Sequence, residues 1–242
     1  MVLVKAKRDE LLGPISAVSG IIERRHTLPI LSNVLIERGT GALSFLATDI
    51  EIQITSRAAV ESAGEAHSVT VGARKLVDIL RALPDGAEVT LQRQDKRLLV
   101  KAGKSRFALQ TLPAEDFPRL AKPAGDSARF ALSQKALRRL FGLVQYAMAQ
   151  QDIRYYLNGL LMVVEDKTLK LIATDIEIQI AARSAIGASA DARAVTVGAR
   201  KLLDILRALP EGAEVTLTQQ DKRLLVKAGK SRFTLQPLTR RR

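Results

Sequence analysis

The sequence predicts an α+β fold built twice, and three observations carry that prediction. First, residues 43–112 return as residues 169–238, offset by 126 positions without insertion or deletion, with about 50 of the 70 aligned pairs identical. Drifted repeats keep far less. The shared blocks are ATDIEIQI (47–54 and 173–180), VTVGARKL (69–76 and 195–202), DILRALP (78–84 and 204–210) and QDKRLLVKAGKSRF (94–107 and 220–233). Second, short β-type runs follow one another through tight turns and are interrupted by two helical stretches per unit, which makes most strand neighbours antiparallel. Third, 242 residues divide into two units of about 120, each large enough for a core of its own.

In the first unit, 2–5 reads as a strand and 8–22 as an amphipathic helix in which Pro14 marks a bend or a late start. Strands are predicted over 31–37 and 42–48, turned by Gly39 and Gly41, and over 51–59, before a small-residue loop at 61–66. The order then begins again with strand 68–71, helix 73–83, the turn Pro84-Asp85-Gly86, and strands 88–93, 97–102 and 105–109. Each unit is therefore a pair of βαβββ-like halves. In the second unit the same plan gives strand 128–132, helix 134–148, strands 157–165 and 168–174, and helix 199–209. Between the units, 112–126 holds three prolines among polar residues and reads as an extended joint. The domains expected are 1–116 and 128–242, linked by 117–127.

Hydrophobic content of 47% with 26% charged residues is globular. With no cysteine, disulfides and thiolate metal sites are excluded. The opening MVLVKAKRDELL has no apolar signal core and no run reaches membrane-spanning length, so a soluble cytoplasmic protein without a membrane partner is expected. The formal charge of +13 is the strongest compositional clue. Such a balance reads either as a solvated basic surface or as attraction to a polyanion, most often nucleic acid.

Placement bears on that choice. Helix 73–83 carries Arg74, Lys75 and Arg81, its copy carries Arg200, Lys201 and Arg207, and helix 134–148 carries Lys135, Arg138 and Arg139. Leu76, Ile79, Leu80 and Leu83 form the predicted buried stripe, which puts Arg74, Asp78 and Arg81 near the opposite face. A face of that kind suits sequence-independent phosphate contact. Solubilising charge remains the alternative. The densest polar-aromatic cluster is 151–159, where Tyr155 and Tyr156 lie beside Arg154; the pair either packs on sugar or base, or belongs to the core and the sheet surface. The run Arg240-Arg241-Arg242 is a further charge cluster without an assigned role.

Enzymatic readings are weak. Asp49/Glu51 and Asp175/Glu177 are repeated carboxylate pairs of a kind common on solvent-facing strands. The two histidines, His26 and His67, do not recur in the other unit. Ala-Gly-Lys-Ser at 102–105 and 228–231 echoes a phosphate-binding loop, but Leu98 and Leu224 stand where its first glycine must be. No nucleophile, base or metal set converges, so no catalytic residue, metal or cofactor is expected.

Longer stretches carry a resemblance. VSGIIERRHTLPILSNVLIE (18–37), LATDIEIQI (46–54), TLPAEDFPRL (111–120) and LVQYAMAQQDIRYYLNGLL (143–161) resemble the bacterial DNA polymerase III beta subunit family, the sliding clamps. The resemblance implies two DNA-clamp domains with helices on an inner face and sheets outside, as in a six-domain ring whose helices line a hole around double-stranded DNA. It assigns DNA contact to Arg25, Gln151, Tyr155 and Tyr156, with Arg24 and Arg154 as neighbours and the basic residues of the three helices lining the hole.

The departures also matter. Family members carry three domains per chain, and this chain carries two, so a homotrimer would supply six. After Ala173-Thr174-Asp175 the family continues Gly-His-Arg-Leu, whereas this chain repeats Ile176-Glu177-Ile178-Gln179. The second unit thus reads as a chimera, a second-domain opening to about residue 170 followed by a copy of the first domain's latter half. The family's peptide pocket keeps only Leu157 and Thr174, which makes polymerase and clamp-loader peptides doubtful partners. The competing reading is an engineered or evolutionary-model scaffold that folds, stays monomeric and takes no part in replication.

Overall fold

The computed structural model describes residues 1–22, 28–60, 65–120, 127–149, 154–220 and 223–238, with side chains at all of these except 127–128, 155–156 and 188–192. The chain divides into two compact units at Leu120/Ala121, with Lys230–Arg232 grouped with the first.

The first unit runs β1 (Val2–Lys7), α1 (Arg8–Ser19), β2 (Asn33–Gly39), β3 (Ala42–Thr48), β4 (Ile52–Ala59), β5 (His67–Gly72), α2 (Ala73–Ala82), β6 (Glu88–Gln94), β7 (Arg97–Ala102) and β8 (Ser105–Gln110). That is βαβββ twice, as the sequence predicts. The sheets are less obvious, with strand orders β5-β2-β3-β4 and β1-β6-β7-β8. Each half lends its first strand to the other half's sheet. The halves therefore fold as one body, since neither sheet is complete without the exchange. The apolar face of α1, Leu11, Ile15 and Val18, is fully buried beside α2 and β4.

Three elements differ from their predicted bounds for local reasons. Helix α1 stops at Ser19, short of residue 22, where the Ser19 hydroxyl donates to the Ile15 carbonyl at 2.7 Å and Gly20 follows. Pro14 lies inside it, at the cost of the one backbone bond that its missing N–H cannot give. Residues 29–32 form a 3-10 turn opened by Pro29, so β2 starts at Asn33 and not at 31. The extended joint begins on the first unit. Phe117 is buried against Leu35 and Leu46, Arg119 pairs with Glu37 at 2.8 Å, and the Leu120 N–H donates to Gln53 Oε1 at 2.9 Å.

The second unit runs β9 (Ser127–Ser133), α3 (Gln134–Val144), β10 (Gly159–Thr174), β11 (Gln179–Gly198), α4 (Ala199–Ala208), β12 (Glu214–Gln220), β13 (Arg223–Ala228) and β14 (Ser231–Leu235). A 3-10 turn at Gln145–Ala147 ends α3 short of 148, and a second one spans Tyr155–Asn158. The two strands predicted over 157–174 are one run, β10, in which Asp166 takes φ 51° and the ladder to β11 shifts register. The remaining strands order as β9-β12-β13-β14.

The offset of 126 holds in three dimensions. Asn33↔Gly72 in the first unit becomes Gly159↔Gly198 in the second, Thr48↔Gln53 becomes Thr174↔Gln179, and Lys7↔Glu88 becomes Ser133↔Glu214. The register thus persists through 127–168, where sequence identity between the units is low. Buried hydrophobic pattern, rather than particular residues, sets strand register.

Candidate nucleic-acid interface

The basic helices are held by a device that recurs with different chemistry. Arg8, at the start of α1, donates from Nε to the Leu80 carbonyl at 2.9 Å, and its Nη1 binds Asp85 at 2.6 Å. Its counterpart Gln134, at the start of α3, donates from Nε2 to the Leu206 carbonyl at 2.8 Å and is 1% exposed. Each side chain satisfies a carbonyl in the last turn of the neighbouring helix, where the helix itself supplies no partner. Sequence reading missed this pair because Arg and Gln look unrelated. The constant offset was the signal that links them.

Anchored so, α2 and α4 present their cations outward. Ala73, Leu76, Val77 and Leu80 are the buried residues of α2; Val77 takes the place predicted for Ile79, which is only half-buried. In α4 the buried set is Ala199, Leu202, Ile205 and Leu206. Arg74, Lys75 and Arg81 are exposed, as are Arg200 and Arg207, while Lys201 is half-buried. Arg74 also reaches the Ile22 carbonyl at 3.4 Å. On α3, Lys135, Arg138 and Arg139 are all exposed. Helices α2 and α4 each place one acid, Asp78 and Asp204, among their cations, and Arg207 lies 3.6 Å from Asp204. An exposed pair of that length contributes little. Helix α3 has no acid, so it is the most strongly cationic of the three.

Helix stability does not explain these positions. The macrodipole favours acids in a first turn and disfavours cations there by about 0.3–1 kcal/mol each. Helix α1 follows that rule with Asp9 and Glu10. Helices α2, α3 and α4 break it, with Arg74 and Lys75, Lys135, and Arg200 and Lys201 and no first-turn acid. Sequence reading also passed over Leu143 and Tyr146, which lie four and seven residues beyond Arg139 and are 52% and 77% exposed. They extend the α3 face with apolar surface.

Other predicted site residues fall elsewhere. Arg24, Arg25 and Gln151 lie outside the described residues, as do the side chains of Tyr155 and Tyr156, whose backbone is in the second 3-10 turn. Arg154 is exposed and its carbonyl accepts from the Leu157 N–H at 2.8 Å. Leu157 is buried, and the Thr174 hydroxyl accepts from the Ile176 N–H at 3.0 Å. The carboxylate pairs close turns: Asp49 Oδ1 accepts from the N–H of Glu51 and Ile52, and Asp175 Oδ1 from that of Ile178. Gly103-Lys104 and Gly229-Lys230 are hairpin tips with Gly φ near 54°, not phosphate cradles. Among the described residues no group of acids and histidines is placed to hold a metal, and no helix is long and apolar enough to cross a membrane.

Comparison with known proteins decides the family. The sequence matches the DNA polymerase III beta subunit N-terminal domain twice, over residues 3–121 and 129–241. The chain belongs to the DNA polymerase III beta subunit family. It is 41% identical to the beta sliding clamp of Pseudomonas aeruginosa over 230 residues, covering 94% of this chain and 62% of that protein. Against the Escherichia coli K12 beta sliding clamp it is 41% identical over 206 residues, 85% of this chain and 56% of that one. The chain thus spans about three-fifths of the length of these relatives. In structure it superposes on the P. aeruginosa DNA polymerase III beta subunit with a TM-score of 0.91 at 37% identity, covering all of this chain and 66% of the other. On the Caulobacter crescentus pol III beta the TM-score is 0.88 at 31% identity, over all of this chain and 67% of that one. The N-terminal-domain match over 129–241 includes the stretch to residue 170 that the sequence assigns to a second-domain opening.

Proposed function

We propose that this chain is a sliding-clamp-type protein without enzymatic activity, which binds double-stranded DNA independently of sequence through the outward faces of α2, α3 and α4. The observation that carries this reading is the placement of exposed cations in the first turns of all three helices, against the helix dipole. Lys135, Arg138 and Arg139 supply the strongest field, with Arg74, Lys75, Arg81, Arg200, Lys201 and Arg207 extending it. Contacts of that kind hold phosphates without reading bases, which allows the protein to move along the duplex. Arg24, Arg25, Gln151, Arg154, Tyr155 and Tyr156 are proposed as further contacts from their motifs. Two domains per chain make a ring of three chains and six domains the proposed assembly.

Partner peptides of the polymerase or loader type are proposed to bind weakly. The turn Ile176–Ile178 replaces the family's continuation, Leu157 is committed to the core, and the Thr174 hydroxyl to its own turn. Retention on nicked circular duplex against linear duplex of equal length tests the ring. Longer retention on the circle is expected at salt concentrations that release linear DNA. Equal retention on both would reduce the function to open-sided phosphate binding, and the competing scaffold reading would then stand.

A further inference from the structure

The first unit gathers charge that its fold does not require. It brings together Arg38 of β2, His67 of β5, Arg93 of β6 and the N-terminal ammonium ahead of β1. Arg38 and His67 stand opposite one another in the β2–β5 ladder. Arg38 is 6% exposed and donates to main-chain carbonyls, from Nη1 to Val2 at 2.8 Å and from Nε to Glu65 at 2.9 Å. Arg93 Nη1 lies 2.6 Å from His67 Nε2, both side chains being half-buried. The Met1 ammonium donates to the Arg93 carbonyl at 2.9 Å. A guanidinium cannot accept a hydrogen bond, so His67 accepts at Nε2, and its ring is neutral with the proton on Nδ1. Among the described residues no carboxylate forms an ion pair with any of these groups. Buried cations are normally paired with acids. Here the hydrogen bonds are met and the charge is not.

The second unit builds the same strands without that charge. The constant offset puts Val164 in place of Arg38 and Gln219 in place of Arg93, and these are 1% and 4% exposed. Gln219 Nε2 donates to the Ala194 carbonyl at 2.9 Å, so a neutral amide ties the strands there. Arg193 stands in place of His67. Holding these strands together therefore requires neither guanidinium of the first unit.

We propose that Arg38, His67 and Arg93 form a phosphate-binding site, in which a tetrahedral oxyanion enters between Arg93 and His67. The anion takes the N–H that Arg93 now gives to His67. It takes a second N–H from His67 Nε2 once the ring has gained a proton. Arg38 keeps its carbonyl bonds and contributes charge. Burial, Arg93, Arg38 and the N-terminal ammonium hold the free ring below the ordinary histidine value. A dianion among these cations reverses the local field and favours the charged ring. Anion binding and ring protonation are therefore coupled, and each strengthens the other. The ligand is a phosphate group, carried either by the free ion or by a phosphate monoester. None of these three residues belongs to the cationic helix faces, so the site does not rest on the DNA reading.

The chain has two histidines, so His67 can be followed by NMR of histidine-labelled protein, with His67→Gln assigning its signal. The titration is run in chloride and in millimolar sulfate at equal ionic strength. Sulfate remains a dianion throughout and brings no proton of its own. The His67 midpoint should rise in sulfate by about one unit, equivalent to a tenfold tighter hold on the charged ring than on the neutral one. Arg93→Gln, which matches Gln219 of the second unit, should abolish that rise while circular dichroism is unchanged. Inorganic phosphate and a nucleoside monophosphate then separate the two sources. Equal shifts assign the free ion, and a larger shift with the nucleotide assigns the ester. A midpoint that is the same in sulfate and chloride, or a rise that persists in Arg93→Gln, would overturn the site and leave an adventitious ion only. These readouts contain no DNA, so they fail separately from the ring.

Discussion

Neutralising the α3 face through Lys135→Gln, Arg138→Gln and Arg139→Gln tests the DNA reading where its magnitude can be worked out. Each phosphate contact on B-DNA adds about 0.9 to the slope of log affinity against log salt. Removing three cations that each hold one phosphate should flatten that slope by about 2.7. Between 50 and 200 mM salt, a fourfold change, these cations account for about 40-fold of the wild-type loss of affinity, which the variant should not show. All three side chains are exposed, and among the described residues none forms an ion pair, so the fold should tolerate the change. Removing Lys135 from the first turn should even favour the helix by about 0.3–1 kcal/mol. The assay is fluorescence anisotropy on linear duplexes of unrelated sequence across a salt series, with circular dichroism as the control. An unchanged slope would refute the reasoning, because the cations would then be solvated charge. A loss on one sequence only would refute it differently, by making the contacts base-specific.

Four further outcomes follow from the geometry. Gln134→Ala leaves the Leu206 carbonyl without its partner and should cost about 1–3 kcal/mol in urea unfolding, since a buried acceptor is orphaned. Phe117→Ala should cost about 3–5 kcal/mol by the same assay, because it empties the cluster with Leu35 and Leu46 and releases the joint from the first unit. Ile176 is a β-branched residue at φ 85° and 59% exposed, so Ile176→Asn should raise stability by about 1 kcal/mol; a fall would show that the isoleucine side chain is held by packing that outweighs its backbone strain. His67 is held below the ordinary histidine range by burial first, then by Arg93, Arg38 and the N-terminal ammonium. Its folded value is depressed, so its contribution is present above the ordinary value near 6.5 and is lost as pH falls through the folded value; Tm should drop with acidification, and less so in His67→Gln.

Much of the fold was legible because the signals are local. The turn at Gly41, the hairpin at Gly103, and the bounds of β3 and β7 follow from alternation and glycine placement alone. What was not legible is non-local. No pattern within 2–7 or 67–72 says that β1 and β5 change places between the halves. The cations of α2, α3 and α4 were readable as an outward set from spacing, and the helix starts at Ala73, Gln134 and Ala199 were legible as well. Arg74, Lys135 and Arg200 could therefore be recognised from sequence as first-turn charges working against the dipole; what needed the structure was their exposure and the burial of Lys201. The face of α1 shows the converse. Arg8 looks available in sequence but is spent on Leu80, Asp9 and Asp85, so a count of basic residues overstates the field on that side.

The repeat also separates what sequence determines from what surroundings determine. Helices α2 and α4 differ by one residue in ten, Val77 against Leu203, yet α2 buries Val77 and leaves Ile79 half-exposed, while α4 buries Ile205 and leaves Leu203 half-exposed. Lys201 is likewise half-buried where Lys75 is exposed. The one substitution within the helix, Val77 against Leu203, is the local difference that accompanies these changes. The exposed cation sets of the two helices are therefore not equivalent despite identical basic residues. Leu203→Val should restore the α2 arrangement, expose Lys201, and raise the salt slope of the second unit's DNA contact toward that of the first. An unchanged slope would place the difference in the neighbouring α3, whose Arg139 stands where α1 has Gly13.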